Sequence, residues 1–476
     1  LALEAFGLLA VSLTLLLFLL WWFIGYGVVF VLRRRCLLQN ALLAPAVGSA
    51  VCVMFVFWLN RAGLPVAKFG LALGICLVIG SALLWWRGRV IVPIRKYLPF
   101  AAVLLLALLL VGWPMFEFGF NWVSISNEDM ANYCLSAQRV LDYGFFDGLS
   151  VQELAKNKDM SAYYWHMHVK AGVRPGSELL LAFVMTLTKL SSHEVFMPVI
   201  LSLHLCLMSA AGALALQNRK AWRWTLMALL ILSFSAQNSL GTIYQLIAQV
   251  FGLSLTAAAA CLFMWDPVSL RRISYLKYGL LTGLVFSACL VVYTEVVPIL
   301  GLACTLFLVQ RFVRRRPPQG ILCYVIATVC SVAFLNSYLL AAVRFLVGQT
   351  AAGTSNRFGS AEAGPVIFPF FLLPAGMGQF WGAFIHYNTP PEPWISLWIA
   401  LGGLLILLSA GVIILEAWRG TPAALVSLSL LVMSVFLILR ASDYGLFKIA
   451  MFIQPFLIPT LVGGWMHFTL AKYEKG

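Results

Sequence analysis

Apolar residues run along this chain in long unbroken stretches, with the polar residues gathered in the gaps between them. The stretches predict membrane-spanning helices at 4–32, 37–59, 66–86, 97–116, 195–216, 222–237, 243–264, 276–294, 296–311, 320–343, 395–416, 420–439 and 447–471. That makes about thirteen spans. An uncharged run near 20 residues matches the hydrocarbon thickness, and a helix satisfies its own backbone groups in lipid. The expected fold class is therefore all-α, a polytopic transmembrane helical protein. The stretch 1–32 is too long, and lacks the small-residue cleavage site, for an ordinary signal peptide.

The breaks between runs alternate in character. Basic clusters follow alternate spans: "RRR" at 33–35, "RGRVIVPIRK" at 87–96, "NRKAWR" at 218–223, "RRISYLK" at 271–277 and "RFVRRRPP" at 311–318. With Arg419, Lys472 and Lys475, one face holds 20 of the 32 Lys and Arg residues and only three acids, Asp266, Glu416 and Glu474. The other face holds 12 basic residues and 14 acids. The net charge of +15 thus divides into +17 and −2. That is a positive-inside distribution and not a nucleic-acid patch. It predicts the N-terminus outside, the C-terminus inside, and a multi-pass protein of the inner (plasma) membrane working on its periplasmic or extracytoplasmic face.

Composition agrees: 62% of residues are hydrophobic and only 10% charged, too few charges to cover a soluble surface of this size. The ten cysteines form no CxxC pair and lie almost all within apolar runs, so they read as small packing residues.

Two long segments face the outer side, 117–194 and 344–394. The first contains "SISNEDMANYCLSAQRVLDYGFF", in which the adjacent acids Glu128 and Asp129 begin a predicted helix over 129–142, with Ser126 or Asn127 as its cap. Farther on, "RPGSELLLAFVMTLTKL" holds only about 14 apolar residues, too few to span, and predicts a helix over 177–190 lying in the outer interface. Glu295, in "YTEVVP", falls at an outer turn on the same side.

A span leading to an acidic pair at the head of a Tyr-containing helix, then an interfacial helix and a return span, resembles the polytopic GT-C glycosyltransferases. Here the parts are the span 97–116, Glu128–Asp129, the 177–190 helix and the span 195–216. Three spans precede the family's usual first one, and "VRPGSE" stands where many relatives have a His-Pro-Pro-like segment. The resemblance divides the chain into a three-span segment 1–96, a catalytic core 97–312 including the outer loop 117–194, and spans 313–476 with the outer loop 344–394. It implies transfer of a sugar from a polyprenyl-phosphate donor to a glycan, lipid or protein acceptor. The partners are then the lipid donor, the acceptor and membrane lipids, with no nucleic acid. The resemblance implies no particular cofactor, and a divalent metal beside the acids is compatible with it.

Such a displacement needs one carboxylate to take the acceptor's proton and one cation to neutralise the leaving phosphate. Asp129 is the expected base, with Glu128 orienting it or holding acceptor or metal. The expected phosphate cations are Lys448, in "RASDYGLFKIAMF", Arg440, Arg174 and Arg344. Substrate contacts are expected from Tyr133, Glu295, Tyr244, Gln245, His166 and His168. Each has a plainer reading. The acid pair also suits a helix N-terminus, Lys448 also suits snorkelling to the interface, and Glu295 suits hydrogen bonding between spans. In "YYWHMH" the two histidines, two apart on a strand-like segment, do not share a ligand. In "GTIYQLIAQVFG", Gln245 and Gln249 sit one helical turn apart on one face of a span. The competing functions are a ligase or polymerase of lipid-linked glycans, and a transporter or flippase of lipid-linked sugars. Broken spans and internal repeats mark the latter, and no repeat is visible.

Overall fold

The computed structural model describes residues 2–32, 37–125, 128–148, 152, 161–216, 221–264, 272–314, 321–353, 374, 376–383, 390–440 and 442–473. Among them the regular structure is all helical. The longer helices are α1 (Ala2–Leu32), α2 (Leu37–Arg61), α3 (Val66–Gly88), α4 (Ile94–Phe118) and α5 (Glu128–Asp142). A short α6 (Ala162–Trp165) runs into a π-helical turn at His166–Lys170. Then come α7 (Gly176–Thr188), α8 (Ser192–Ala215), α9 (Trp222–Ser233), α10 (Ala236–Ile243), α11 (Ile247–Phe263) and α12 (Arg272–Val292). The chain continues through α13 (Val297–Val313), α14 (Ile321–Leu335), α15 (Tyr338–Gly353), α16 (Gly376–Gln379), α17 (Trp394–Arg419), α18 (Pro422–Leu439) and α19 (Asp443–Tyr473). Among the described residues ten helices are long and apolar enough to cross a membrane, or up to 12 if each of two bent pairs is one span. The protein is a polytopic, all-α membrane protein.

The expected spans map onto these helices with three differences. The stretch 222–237 breaks after Ser233 and turns by 56° into α10. The stretch 320–343 breaks at Asn336–Ser337 and turns by 96° into α15. Asn336 takes the left-handed φ of 49°, a conformation Asn tolerates better than most residues. The expected span 243–264 shortens to the 17 residues of α11, because Gln245, at φ 61°, turns the chain just before the helix begins. Gln245 and Gln249 therefore do not share a helix face.

The chain forms two compact units: Leu1–Ala213, Gly241–Val297 and Gln319–Phe345 make the first, and Leu214–Leu240, Pro298–Pro318 and Leu346–Gly476 the second. In the first, α8 and α2 are the central helices, with 100% and 83% of their most apolar windows buried. Both are apolar all round because protein meets them on every side. Helix α1 crosses α2 at glycines. A Cβ on Gly25 would sit 1.9 Å from the Ala44 carbonyl oxygen, and one on Gly48 1.9 Å from that of Trp21. Small residues let helix backbones touch, and in lipid this close packing replaces the hydrophobic drive.

The two ends of this unit differ in charge. Arg87, Arg89, Arg95 and Lys96 surround the α3–α4 turn, while Glu117 lies at the far end of α4. A helix of that length separates them by about 37 Å. The basic end is tied by aromatic donors: Trp22 Nε1 to the Ala41 carbonyl (3.0 Å), Tyr26 hydroxyl to Ile91 (2.6 Å) and Trp85 Nε1 to Phe23 (3.0 Å). Such amphipathic rings suit a membrane–water boundary.

Helix α7 departs from the interfacial reading. It is buried from Gly176 to Thr186 and packs on α2, α3, α5, α11 and α12. Its "LLLAFVM" run has no polar face to turn outward, so neighbouring helices cover it on all sides.

In the second unit α17, α18 and α19 pack on one another. Glu416 is buried there, paired with Arg419 and with His467 Nδ1 at 3.0 Å. Gln310 donates to the Trp418 carbonyl at 3.0 Å.

Candidate functional site

The acidic end of the first unit is assembled from the turn after α2. Asn60 Nδ2 donates to the carbonyls of Leu64 (3.0 Å), Val140 (3.3 Å) and Tyr143 (3.0 Å), and the Asn60 backbone carbonyl accepts the Phe145 amide at 3.0 Å. One side chain thus fastens the end of α5 to the α2–α3 turn. Gly144 lies directly on Gly63, where a Cβ would come within 2.7 Å of backbone. Helix α5 is accordingly fixed in rotation, with Met130, Cys134, Ala137 and Val140 turned inward.

Its polar partners lie on the following segment. Tyr164 donates to Asn132 Oδ1 at 2.6 Å. The segment 161–170 is helical and not strand-like. His166 points outward while His168 is buried. His168 Nδ1 lies 3.0 Å from the Val173 carbonyl, which only accepts, so Nδ1 carries the proton and Nε2 accepts the Ser136 hydroxyl at 2.5 Å. This histidine holds the loop against α5.

The "AGVRPG" stretch then threads between two helices. Gly172 has φ 72°, and a Cβ there would sit 2.7 Å from the Ala341 carbonyl; one on Gly176 would sit 2.6 Å from Val292. Glycines let the backbone pass that closely, and they deliver Arg174 to the end of α12. Its guanidinium lies 3.3 Å from Glu295 and stacks over Tyr293 (4.7 Å) and Phe345 (5.5 Å). Burial works against the Arg174 charge, but Glu295, with Tyr133, Tyr293 and Glu178 around it, outweighs burial and holds its pKa above the usual value.

Tyr133 stands in the same field. Burial pushes its phenol above the usual range; Arg174 opposes the rise, and Glu178, Asp129 and Glu295 reinforce it. Glu178 is buried and accepts the Ser177 hydroxyl at 2.7 Å. Tyr338, at the head of α15, is 1% exposed, and among the described residues its hydroxyl has no hydrogen-bond partner; nor have Arg174 Nε and Glu295 Oε2. Arg174 thus pairs directly with Glu295, and Tyr133 lies within electrostatic reach of Asp129, Glu178, Glu295 and Arg174. Such an arrangement is able to hold a polar ligand and move a proton.

Of the expected residues, Arg174 and Glu295 pair here, with Tyr133 and Asp129 within electrostatic reach. Glu128 opens α5, but its side chain, like the expected cap at 126–127, lies outside the described residues. Gln245 is fully buried and donates to the Met130 sulfur at 3.0 Å, while Tyr244 lies half-buried between α10 and α11. Arg344 is exposed on α15. Lys448 and Arg440 belong to the second unit, stacked on Tyr444 (5.4 Å) and Phe436 (5.6 Å) respectively. Most of the expected outer loop 344–394 lies outside the described residues.

Sequence reasoning missed Glu178, Tyr338 and Arg61. Glu178 had a signal, a lone carboxylate in the otherwise apolar "GSELLLAFVM". Tyr338 had none, since an aromatic within an apolar run reads as core. Among the described residues no three His, Cys, Asp or Glu side chains converge as metal ligands. No protein-family model matches the chain, and no curated protein or solved structure is significantly similar to it.

Proposed function

We propose that this protein is an integral-membrane glycosyltransferase of GT-C type, moving a sugar from a polyprenyl-phosphate donor to an acceptor on the extracytoplasmic face. The observation that carries the reading is the Arg174–Glu295 pair, 3.3 Å apart at the acidic end of the first unit, with Tyr133, Asp129 and Glu178 within electrostatic reach. Asp129 takes the proton of the attacking acceptor hydroxyl. The glycosidic carbon passes from the phosphate oxygen to that hydroxyl oxygen, and polyprenyl phosphate leaves with the bonding pair. Glu178 and Glu295 bind sugar hydroxyls, and Glu128 supports the base. Arg174, paired with Glu295, keeps the acids from repelling one another. Lys448, Arg440 and Arg344 remain proposed phosphate contacts.

The test is release of free polyprenyl phosphate from a panel of labelled polyprenyl-phosphate sugars by purified wild type and Asp129→Asn. Turnover by wild type, lost in a variant that still binds donor, supports the reading and names the sugar.

A transporter of lipid-linked sugars is the second reading, favoured by the two helix pairs bent by 96° and 56°. It is chosen if no donor turns over while wild type and Asp129→Asn move intact lipid-linked sugar equally across vesicles.

A further inference from the structure

The arginine best placed to meet a phosphate is not Arg174, whose charge is already matched by Glu295 at 3.3 Å. It is Arg61, the last residue of α2. The Arg61 guanidinium sits 4.8 Å from the Phe146 ring centre, 5.1 Å from Phe145, 5.5 Å from Phe57 and 5.6 Å from Tyr338. Its Nη2 donates to the Ser337 hydroxyl at 2.9 Å. Among the described residues no carboxylate pairs with it. A snorkelling arginine reaches into water, whereas this one is folded back into a cage of ring faces, where each contact favours the cation by about 0.5–1 kcal/mol.

The cage opens onto a cleft of about 580 Å³. Its lining combines apolar residues, among them Trp58, Phe146, Ala333 and Phe334, with the polar Arg61, Asn336 and Ser337. The cleft exists because α14 and α15 break apart at Asn336–Ser337, and Trp58 Nε1 caps the broken end by donating to the Phe334 carbonyl at 2.9 Å. A half-buried cation with no carboxylate partner among the described residues, set beside apolar lining, suits an anionic head carried on a hydrocarbon tail. Tyr338 connects this cleft to the acid cluster, since its charge environment includes Arg61, Arg174, Glu178 and Glu295.

We infer that the cleft at Arg61 binds the phosphate head of a lipid, with the first part of its tail against Trp58 and Phe334. The inference deepens the transferase reading and rests on it for the identity of the lipid as donor or leaving product. Arg61 is then a binding residue for the leaving phosphate, contributed by the three-span segment that precedes the GT-C-like core.

The experiment equilibrates purified protein in detergent with farnesyl phosphate, farnesol, inorganic phosphate or phosphatidylglycerol, reading bound ligand by native mass spectrometry. Wild type is expected to hold farnesyl phosphate at least tenfold more tightly than farnesol. Arg61→Gln should abolish that preference and Arg61→Lys retain part of it. Ala333→Phe, which adds bulk to the cleft lining while keeping the arginine in the chain, should weaken binding as Arg61→Gln does, and keeps the test available if the Arg61 variants misfold. Asp129→Asn should bind like wild type. The inference is overturned if Arg61→Gln and Ala333→Phe both keep the preference or if inorganic phosphate binds as well as the lipid; displacement of farnesyl phosphate by phosphatidylglycerol at equal concentration would support a lipid-phosphate site and overturn its assignment to the donor or leaving product. Normal sugar transfer by Asp129→Asn, with farnesyl phosphate binding lost in Arg61→Gln, would sink the base assignment and leave the cleft standing.

Discussion

Arg174 and Glu295 lie 3.3 Å apart, 121 positions distant in sequence, and each is mostly enclosed, with 16% and 20% of its side chain exposed. Removing one partner leaves the other charge in a poorly solvated place. For a fully buried pair that costs about 3–5 kcal/mol; the residual exposure here reduces it to about 1–3 kcal/mol. Arg174→Gln and Glu295→Gln should each lower the melting temperature in detergent, and the double variant should lose less than the sum of the two. Full additivity in that cycle would show the pair to be uncoupled.

Glycine at 25 and 48 sets how closely α1 approaches α2, since either Cβ would fall 1.9 Å from a facing carbonyl oxygen. Backbone, unlike a side chain, has no alternative rotamer with which to yield. Gly48→Leu is expected to cost at least the roughly 1–3 kcal/mol typical of overpacking. Gly80→Leu, where nothing lies within 4 Å, should be near neutral. Thermal melts of the two proteins side by side check this, and equal losses would overturn the packing account.

The Tyr133 phenol has its pKa raised by burial, with Glu178, Asp129 and Glu295 adding to the rise against Arg174. The sign follows from proton linkage. Above pH 10 the unfolded chain gives up this proton while the folded one keeps it, so stability falls as pH rises through that range. The contribution is fully present below pH 10 and is lost on the way to the raised folded value. Tyr133→Phe should therefore show a shallower alkaline fall in melting temperature between pH 10 and 11.5, with little change at pH 7. An unchanged alkaline slope would count against the buried field.

His168 joins α5 to the loop before Arg174 through Ser136 and the Val173 carbonyl. His168→Ala leaves a buried hydroxyl and carbonyl without partners, a loss of about 1–3 kcal/mol. Because Val173 precedes Arg174, the loop should loosen as well. Hydrogen exchange over 168–176 should speed up in this variant and stay unchanged in His166→Ala, whose side chain is exposed.

The sequence by itself determined the class of this protein. Runs of apolar residues with charge confined to their ends leave the backbone no course in lipid except helices, and those helices appear close to their expected limits. It also determined α5, because Asp129, Tyr133, Ala137 and Val140 share a helical face whatever surrounds them. What the tertiary structure decided is which polar residues meet. Glu295 meets Arg174 only because Gly172 and Gly176 let a loop slide between the ends of two helices. Asn336 turns an expected straight span through 96° and opens a cleft beside Arg61. Helix α7 is buried instead of lying at the surface because five other helices surround it. Hydrophobic periodicity is local and survives in the sequence, whereas an ion pair or a cleft depends on backbone approaches between segments far apart in the chain, and no local pattern encodes those distances.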